Sequence, residues 1–164
     1  TGKKGLAKTS QKPGKTQLIN HFIINNNWYL VDLPGYGYAQ TSKKNRADWG
    51  KFIRYYLTNR PNLQCIFVLI DSRLEPQKID LDFCCWLGEK GLPFMLIFTK
   101  GDKQSTVKSD QNIAKFKRAL LKWFEEVPQR FLTSAEDKVG LEPILQTIED
   151  INAGFQHPII EEEI

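Results

Sequence analysis

Cysteine and histidine are scarce in this sequence. Among its 164 residues there are three cysteines and two histidines. Two of the cysteines, Cys84 and Cys85, are adjacent, and no cysteine or histidine spacing matches a metal site, so a disulfide framework and a structural zinc site are both excluded. Reduced thiols of this kind predict a cytoplasmic protein.

Long apolar runs are absent as well. No segment approaches the ~18 consecutive apolar residues of a membrane span, and no signal peptide is predicted at the start. Hydrophobic residues make up 41% and charged residues 26% of the chain, which excludes a fibrous or wholly disordered protein. The length predicts a single domain over residues 1–164 with a sizeable core. The lack of long apolar runs predicts no membrane association.

Positive charge is concentrated in the first part of the chain. The first 60 residues contain eleven lysines and arginines against Asp32 and Asp48, a formal charge of +9, whereas the remaining residues carry −5 of the whole-chain total of +4. This asymmetry predicts a phosphate-rich partner on one face. A solvated lysine surface without a partner explains the charge equally well.

The pattern of apolar residues predicts alternating strands and helices. Residues 1–16 are interpreted as a mobile loop, and Gln17–Asn25 and Trp28–Asp32 as a hairpin around Asn25–Asn27. A helix over Lys44–Asn59 carries Trp49, Phe52, Ile53 and Tyr56 on one stripe. Further strands are predicted at Gln64–Asp71, Pro93–Thr99 and Arg130–Thr133, with helices around Asp80–Lys90, through Ile113, Phe116, Leu120 and Trp123, and at Leu141–Ile151. Residues 155–164 are interpreted as a frayed tail.

This order predicts an α/β fold with a largely parallel sheet and one antiparallel edge hairpin. The runs at Gln64–Asp71 and Pro93–Thr99 are apolar throughout, which is typical of strands buried on both faces. Ligands of such sheets bind beyond the carboxyl ends of the strands. Polar loops follow four strands there, at Asp32–Gly35, Asp71–Arg73, Thr99–Asp102 and Thr133–Ala135.

The segment Thr99-Lys100-Gly101-Asp102 has the chemistry of a guanine-binding loop. An ionised Asp102 can accept hydrogen bonds from N1–H and the exocyclic amine of guanine, and adenine lacks that pair of donors. Lys100 can lay its aliphatic stem along the base while its ammonium group ties neighbouring loops together. Ser134 and Ala135 can offer backbone N–H groups to the guanine O6. The alternative is that Asp102 only caps the following segment.

The segment Asp32-Leu33-Pro34-Gly35 has the chemistry of a phosphate sensor. A carboxylate at a strand end can hold Mg²⁺ through water, and Gly35 lets the backbone approach a γ-phosphate closely. A turn-forming aspartate is the alternative.

The stretch Gly14-Lys15-Thr16 is similar to the end of a P-loop but does not qualify as one. The first glycine of that motif falls on Thr9, and a strand rather than a helix follows. We interpret the stretch as a switch segment whose threonine hydroxyl can complete a Mg²⁺ shell.

Together these motifs resemble the EngB (YihA/YsxC) family of the TrmE-Era-EngA-EngB-septin-like GTPase superfamily. The resemblance runs from about Gly5 to Ile151 and is most specific in one stretch, Pro34-Gly35-Tyr36-Gly37-Tyr38-Ala39. It also includes Lys12–Gln17 with Asn20–Phe22, Asp71–Arg73 with Pro76 and Asp80, Thr99–Asp102, and Thr133–Ala135.

The resemblance implies a Ras-like G domain that binds GTP or GDP with Mg²⁺. It implies that Gly14, Lys15, Thr16, Gln17 and Leu18 form switch I, with Thr16 and Asp32 as metal ligands. Asp32, Leu33, Pro34 and Gly35 then form switch II. The guanine is bound by Thr99, Lys100, Gly101 and Asp102, together with Leu132, Thr133, Ser134 and Ala135.

The sequence departs from the family pattern at its start and at the position after switch II. Family members begin with a strand, a P-loop and a helix, and this sequence starts just after them, so we expect weak nucleotide binding and almost no hydrolysis from the chain alone. Many GTPases have a water-orienting glutamine where this chain has Tyr36. His21 is interpreted as structural, His157 lies in the tail, and no catalytic residue is assigned.

Two functions are therefore compared. The first is a monomeric GTP-binding switch in large-subunit ribosome assembly, needed for cell division, whose basic residues in 1–60 contact rRNA. The second is a non-hydrolysing rRNA- or ribosome-binding module that keeps the fold. An unrelated flavodoxin-like protein explains none of the order of the motifs.

Overall fold

The computed structural model describes residues 18–35 and 43–155, with the backbone alone for 43–49. The predictions for residues 1–16, for Tyr36 and for the tail after Phe155 lie outside the described residues. The chain divides into two compact units, Thr1–Arg60 and Pro61–Ile164. Within the described residues, no helix combines the length and the apolar character that crossing a membrane requires.

The first unit contains an antiparallel hairpin. Strands β1 (Asn20–Ile24) and β2 (Trp28–Asp32) pair in a register that sets Ile24 opposite Trp28. The turn between them requires left-handed backbone, with φ of 51° at Asn25 and 53° at Asn26. Asparagine tolerates that conformation better than most residues, so the three-asparagine segment closes the hairpin as predicted.

Helix α1 (Lys43–Asn59) follows in the same unit. Among its described side chains, Ile53 and Leu57 are buried four residues apart, and Tyr56, three residues after Ile53, is half-buried. The predicted stripe was therefore wrong at Phe52, which is exposed, because the buried row is rotated toward Leu57. The Tyr56 hydroxyl and the Nε2 atom of His21 on β1 are hydrogen-bonded at 3.0 Å, which gives His21 a structural role.

The second unit is built on a parallel sheet. Its elements in chain order are β3 (Ile66–Asp71), α2 (Lys78–Glu89), β4 (Phe94–Thr99), α3 (Thr106–Leu120), β5 (Arg130–Leu132) and α4 (Leu141–Ala153). The strands lie in the order β3-β4-β5, with Ile66 opposite Phe94 and Leu96 opposite Arg130. The α/β class, with a parallel sheet and an antiparallel hairpin, is confirmed.

The core of the second unit lies around β4. Three consecutive residues of this strand, Leu96, Ile97 and Phe98, are buried, so the prediction of burial on both faces is confirmed for β4. Phe98 meets Phe116 of α3 edge to face, with ring centroids 5.6 Å apart. The same prediction was wrong for β3, where burial alternates along the strand and Leu69 is 63% exposed, because only one face of this strand is covered within the described residues.

Helix α3 ends earlier than its apolar spacing predicts. The helix stops at Leu120, and Trp123 lies in the following turn, 70% exposed. The neighbouring ring of Phe124 takes the inward position instead, 5.9 Å from the ring of Phe94. A Cβ at Gly88 of α2 would come within 2.5 Å of the Phe124 ring, so glycine is needed at position 88 for this packing.

Candidate functional site

The loops after β3, β4 and β5 meet at the carboxyl edge of the parallel sheet. Main-chain hydrogen bonds continue beyond the strands, from Ser72 N to Thr99 O (3.0 Å) and from Gly101 N to Thr133 O (2.9 Å). These bonds bring three predicted segments together in the second unit, namely Asp71–Arg73, Thr99–Asp102 and Leu132–Ala135. The backbone that carries them is held by the sheet itself.

The loop after β4 turns sharply at Lys100. This residue has left-handed backbone (φ 61°, ψ 34°), which is uncommon for residues other than glycine. Residues in this conformation are concentrated at functional sites. A single 3₁₀ turn follows over Gly101–Lys103. A Cβ at Gly101 would approach Leu132 Cδ1 at 3.2 Å and Thr133 O at 3.3 Å, so the glycine allows the two loops to lie close together.

Asp102 presents an ionised carboxylate between these loops. Its side chain is 11% exposed and lies 2.8 Å from Lys103 Nζ. Hydrogen bonds from Lys103 and from the Ser134 hydroxyl hold the pKa of Asp102 below its usual range. The alternative interpretation, that Asp102 caps the following segment, was wrong for α3, because Ser105 is the N-cap of that helix and its side chain accepts from Lys108 N at 3.3 Å.

Lys103 joins the two loops through its ammonium group. It pairs with Asp102 on its own loop and with Glu136 on the loop after β5. The two carboxylates raise its pKa. The sequence analysis missed this bridge, because the lysine directly after Asp102 signals a pair within the loop but not the contact with Glu136, 33 residues away.

The loop after β5 is fixed by two less obvious residues. Ser134 is buried, its hydroxyl accepts a hydrogen bond from Asp137 N (2.9 Å), and its N–H donates to Val139 O (3.1 Å). Gly140 has φ of +76°, and a Cβ there would fall 2.1 Å from Leu132 O. Gly140 was also missed, since only the path of the chain reveals this close approach. Ala135 is exposed at the edge of the loop.

Asp71, the last residue of β3, forms the most densely bonded charge cluster of the site. Its Oδ1 accepts from Arg73 N (3.1 Å) and Arg73 Nε (2.9 Å). Its Oδ2 accepts from Arg73 Nη2 (2.7 Å) and Lys100 Nζ (2.9 Å). These bonds, that from the Arg73 side chain above all, hold the pKa of Asp71 far below its usual range.

The predicted switch residues belong to the first unit. Asp32 is exposed at the end of β2, Pro34 is buried, and a Cβ at Gly35 would meet no atom of the described residues within 4 Å. Leu18 is exposed, and residues 14–17 lie outside the described residues. Across the described part of the chain, no cluster of three or more His, Cys, Asp or Glu side chains is arranged to hold a metal ion.

Comparison with known proteins identifies the family. The family model described as "50S ribosome-binding GTPase" matches residues 1–100. The probable GTP-binding protein EngB of Christiangramia forsetii is 57% identical over 152 residues, which cover 93% of this chain and 77% of that protein. The chain belongs to the EngB family of GTP-binding proteins. Its relative in Porphyromonas gingivalis strain ATCC 33277, which has the same name, is 56% identical over the same share of this chain.

Comparison with solved structures supports the same fold. A crystal structure of a probable GTP-binding protein EngB superposes with a TM-score of 0.68 at 18% identity, covering 83% of this chain and 84% of that one. The elongation factor SelB of Methanococcus maripaludis, bound to a GTP analogue, gives a TM-score of 0.62 at 15% identity over 85% of this chain and 28% of its own. The predicted G-domain fold is therefore confirmed.

Proposed function

We propose that this chain is a GTP-binding switch in the assembly of the large ribosomal subunit, with a role in normal cell division. The chain acts as a single G domain that is monomeric and cytoplasmic, and the three free thiols support that location. The observation that carries the proposal is an ionised, hydrogen-bonded Asp102 on a turn joined to the loop after β5.

The guanine base is bound by Thr99–Asp102 and Leu132–Ala135. Asp102 accepts from N1–H and the exocyclic amine, because an ionised carboxylate has acceptor capacity beyond its bonds to Lys103 and Ser134. Adenine has no donors to replace this pair, so its binding leaves the remaining acceptor positions of a poorly solvated carboxylate unfilled. Preference for guanine therefore depends on Asp102.

The phosphates and Mg²⁺ are bound by the switch segments. Asp32 supplies a carboxylate that can hold Mg²⁺ through water, and Gly35, which has no Cβ, suits a close approach of backbone to phosphate. Thr16 supplies a hydroxyl, and Gly14–Leu18 complete the segment. Mg²⁺ commonly uses one or two protein ligands plus waters and phosphates, which is in keeping with a single exposed carboxylate here. When bound there, Mg²⁺ would supply positive charge beside the γ-phosphate.

A nucleotide titration tests this proposal. Fluorescent GDP is displaced by unlabelled GDP, by IDP, which lacks the exocyclic amine, and by ADP, with and without Mg²⁺, on the longest form of the protein that its gene encodes. We expect GDP to bind at least about a hundredfold more tightly than ADP, and Asp102→Asn to remove the advantage of GDP over IDP.

The matched control for this titration is Asp82→Asn. Asp82 is also ion-paired with a lysine of the second unit, at 2.8 Å from Lys78, but it lies on α2. We expect this variant to keep the preference for GDP. Equal affinity for GDP and ADP in the unsubstituted protein contradicts the proposal and favours the non-hydrolysing ribosome-binding module.

The ribosomal partner is assigned to the basic first 60 residues. Their formal charge of +9 suits the phosphates of rRNA, and Lys51, Arg54 and Arg60 are exposed on and just after α1. We expect affinity for isolated large ribosomal subunits to fall steeply with salt and to differ between the GTP and GDP forms. Affinity that is flat across salt, or equal in both nucleotide states, contradicts this assignment.

A further inference from the structure

Asp71 has the most hydrogen bonds of any carboxylate in the candidate site, and neither the family resemblance nor the proposed function assigns it a role. A carboxylate has room for about four hydrogen bonds. Asp71 receives four: two from Arg73 on Oδ1, and one each from Arg73 and Lys100 on Oδ2. Its capacity is filled by this chain's own groups, so it is unsuited to bind a ligand directly.

The backbone that follows Asp71 is also held in place. The Ser72 carbonyl accepts from the Gln104 and Asn112 side chains, both at 2.9 Å, and Ser72 N donates to Thr99 O. Ser72 and Asn112 are buried. The loop that begins at Asp71 is therefore held in place by β4, by the turn after β4 and by α3, independently of any bound molecule.

The partner of this fixed carboxylate is a residue whose backbone conformation is costly. Lys100 adopts left-handed backbone at φ 61°, and its half-exposed side chain ends in the ammonium contact with Asp71. A strained residue persists when its surroundings over-determine it, and the 2.9 Å contact with Asp71 is such a constraint. Lys100 is also the residue whose stem is proposed to lie along the base.

We propose that Asp71 is a positioning residue for guanine nucleotides, which fixes the ammonium group of Lys100 and thereby pre-orders the turn that carries Asp102. This inference rests on the proposed function. Asp71 acts on how tightly the base is bound, since it orders the Lys100 stem before the base arrives. It does not act on which base is chosen, because that depends on Asp102.

The test is a double-mutant cycle on the nucleotide-binding protein. Asp71→Asn removes the charge and sets an amide N–H₂ or a weaker acceptor against the cations, and Lys100→Met keeps the unbranched stem without the ammonium. We expect each variant to weaken GDP binding about threefold to tenfold with the ratio of GDP to IDP affinity unchanged. We expect Asp71→Asn to cause no further loss in the Lys100→Met protein.

The matched control is Glu75→Gln. Glu75 lies on the same loop and pairs with a lysine, Lys115 of α3, without contact to Lys100. This variant should bind GDP like the unsubstituted protein. Losses that add in the double variant, or a changed ratio of GDP to IDP affinity in Asp71→Asn, overturn the inference.

Two further outcomes are distinguishable. If Asp102→Asn leaves base preference unchanged, the proposed function fails; if it abolishes the preference while Asp71→Asn binds GDP normally, only the positioning role fails. Should Asp71→Asn melt below the assay temperature, Asp71→Glu replaces it. The longer side chain keeps the charge, and we expect a smaller loss that again disappears in the Lys100→Met protein; a loss that persists there overturns the role.

Discussion

At the scale of single residues, two glycines share a backbone conformation but differ in their surroundings. Gly91 has φ of +63° with nothing within 4 Å of a built Cβ, whereas a Cβ at Gly140, with φ of +76°, would fall 2.1 Å from Leu132 O. The first position requires only left-handed backbone. The second position also has no room for a Cβ atom, because the neighbouring oxygen belongs to the main chain at the end of β5 and cannot rotate away.

Gly140→Ala should therefore be far more destabilising than Gly91→Ala. We expect about 1 kcal/mol for Gly91→Ala, the ordinary cost of left-handed backbone with a Cβ, and roughly 3 kcal/mol or more for Gly140→Ala. Urea unfolding of both variants and of the unsubstituted protein measures the difference. Equal losses would mean that the contact with Leu132 relaxes without cost.

Acid should destabilise the protein through its ion-paired carboxylates. The pKa values of Asp71, Asp102 and Glu75 are all lowered in the folded chain by their lysine and arginine partners. A carboxyl group of lowered pKa stabilises the fold above its unfolded pKa of about 4, and this contribution is lost as pH falls toward the folded value.

We accordingly expect the free energy of unfolding to fall between pH 5 and pH 3, values that bracket the unfolded pKa of about 4. Asp71→Asn should show a smaller fall over the same window, because the group with the most lowered pKa of the three is gone. Urea midpoints at the two pH values provide the measurement. A fall of the same size in the variant would assign the acid sensitivity to other carboxylates.

At the scale of secondary structure, the beginnings of α2 and α3 differ in their caps. The Ser105 side chain accepts from Lys108 N at 3.3 Å and so caps α3. Gln77 occupies the same position before α2 with extended backbone (φ −86°, ψ 134°), yet makes no capping bond. A side chain therefore satisfies one of the free first-turn N–H groups of α3. The first-turn N–H groups of α2 receive no such bond from the Gln77 side chain, so a better cap there should stabilise the helix.

Exchange of the capping residues should move stability in opposite directions. We expect Ser105→Ala to lower the free energy of unfolding by about 1 kcal/mol and Gln77→Asp to raise it by roughly 0.5–1 kcal/mol, since aspartate accepts from the first-turn N–H groups. Thermal or urea unfolding gives both values. A Gln77→Asp protein no more stable than the unsubstituted one would show that the α2 start is already satisfied by solvent.

The sequence predicted the order of these elements well because their periodicity and breakers are local. Gly91 and Pro93 limit α2 and β4, and Asn25–Asn27 close the hairpin, as expected from residue chemistry. Trp123 was assigned to α3 incorrectly, because the adjacent Phe124 is the residue whose ring packs inward, against Phe94 of β4. Helical spacing alone does not distinguish two adjacent aromatic residues that compete for one interior position.

The sequence predicted which segments form the candidate site, but not which of their side chains contact one another. The positions of Thr99–Asp102 and Leu132–Ala135 follow from the rule that polar loops collect at the carboxyl ends of parallel strands. The bridge from Lys103 to Glu136 spans 33 residues, and the contact from Lys100 to Asp71 spans 29. Which lysine reaches which carboxylate depends on side-chain geometry that no local pattern contains.

At the scale of the whole molecule, the three thiols differ in protection. Cys84 on α2 is fully buried, and burial raises its pKa to about 12; burial also raises the pKa of Cys65 to about 11. Cys85 is partly exposed and adjacent to Cys84. The thiolate is the reactive form, so both exposure and pKa predict slow modification of Cys84 in the folded protein.

Cys84 should therefore report unfolding of the second unit. In a Cys85→Ser protein at pH 8, we expect iodoacetamide to label Cys84 only as fast as the unit unfolds, and quickly once urea is added. Peptide mass spectrometry follows the label. Labelling of Cys84 at the same rate with and without urea would mean that α2 opens without unfolding of the sheet beneath it.

The turn at Asn25 and Asn26 has a consequence for the order of events during folding. A hairpin with a three-residue connection pairs its strands by purely local contact, and such hairpins close in about 1–10 μs. The parallel pairs of β3 with β4 and of β4 with β5 each require a complete crossover through a helix before their first hydrogen bond forms. We therefore expect the β1–β2 pairing to form before the parallel sheet, so that folding of the second unit limits the rate at which the chain matures.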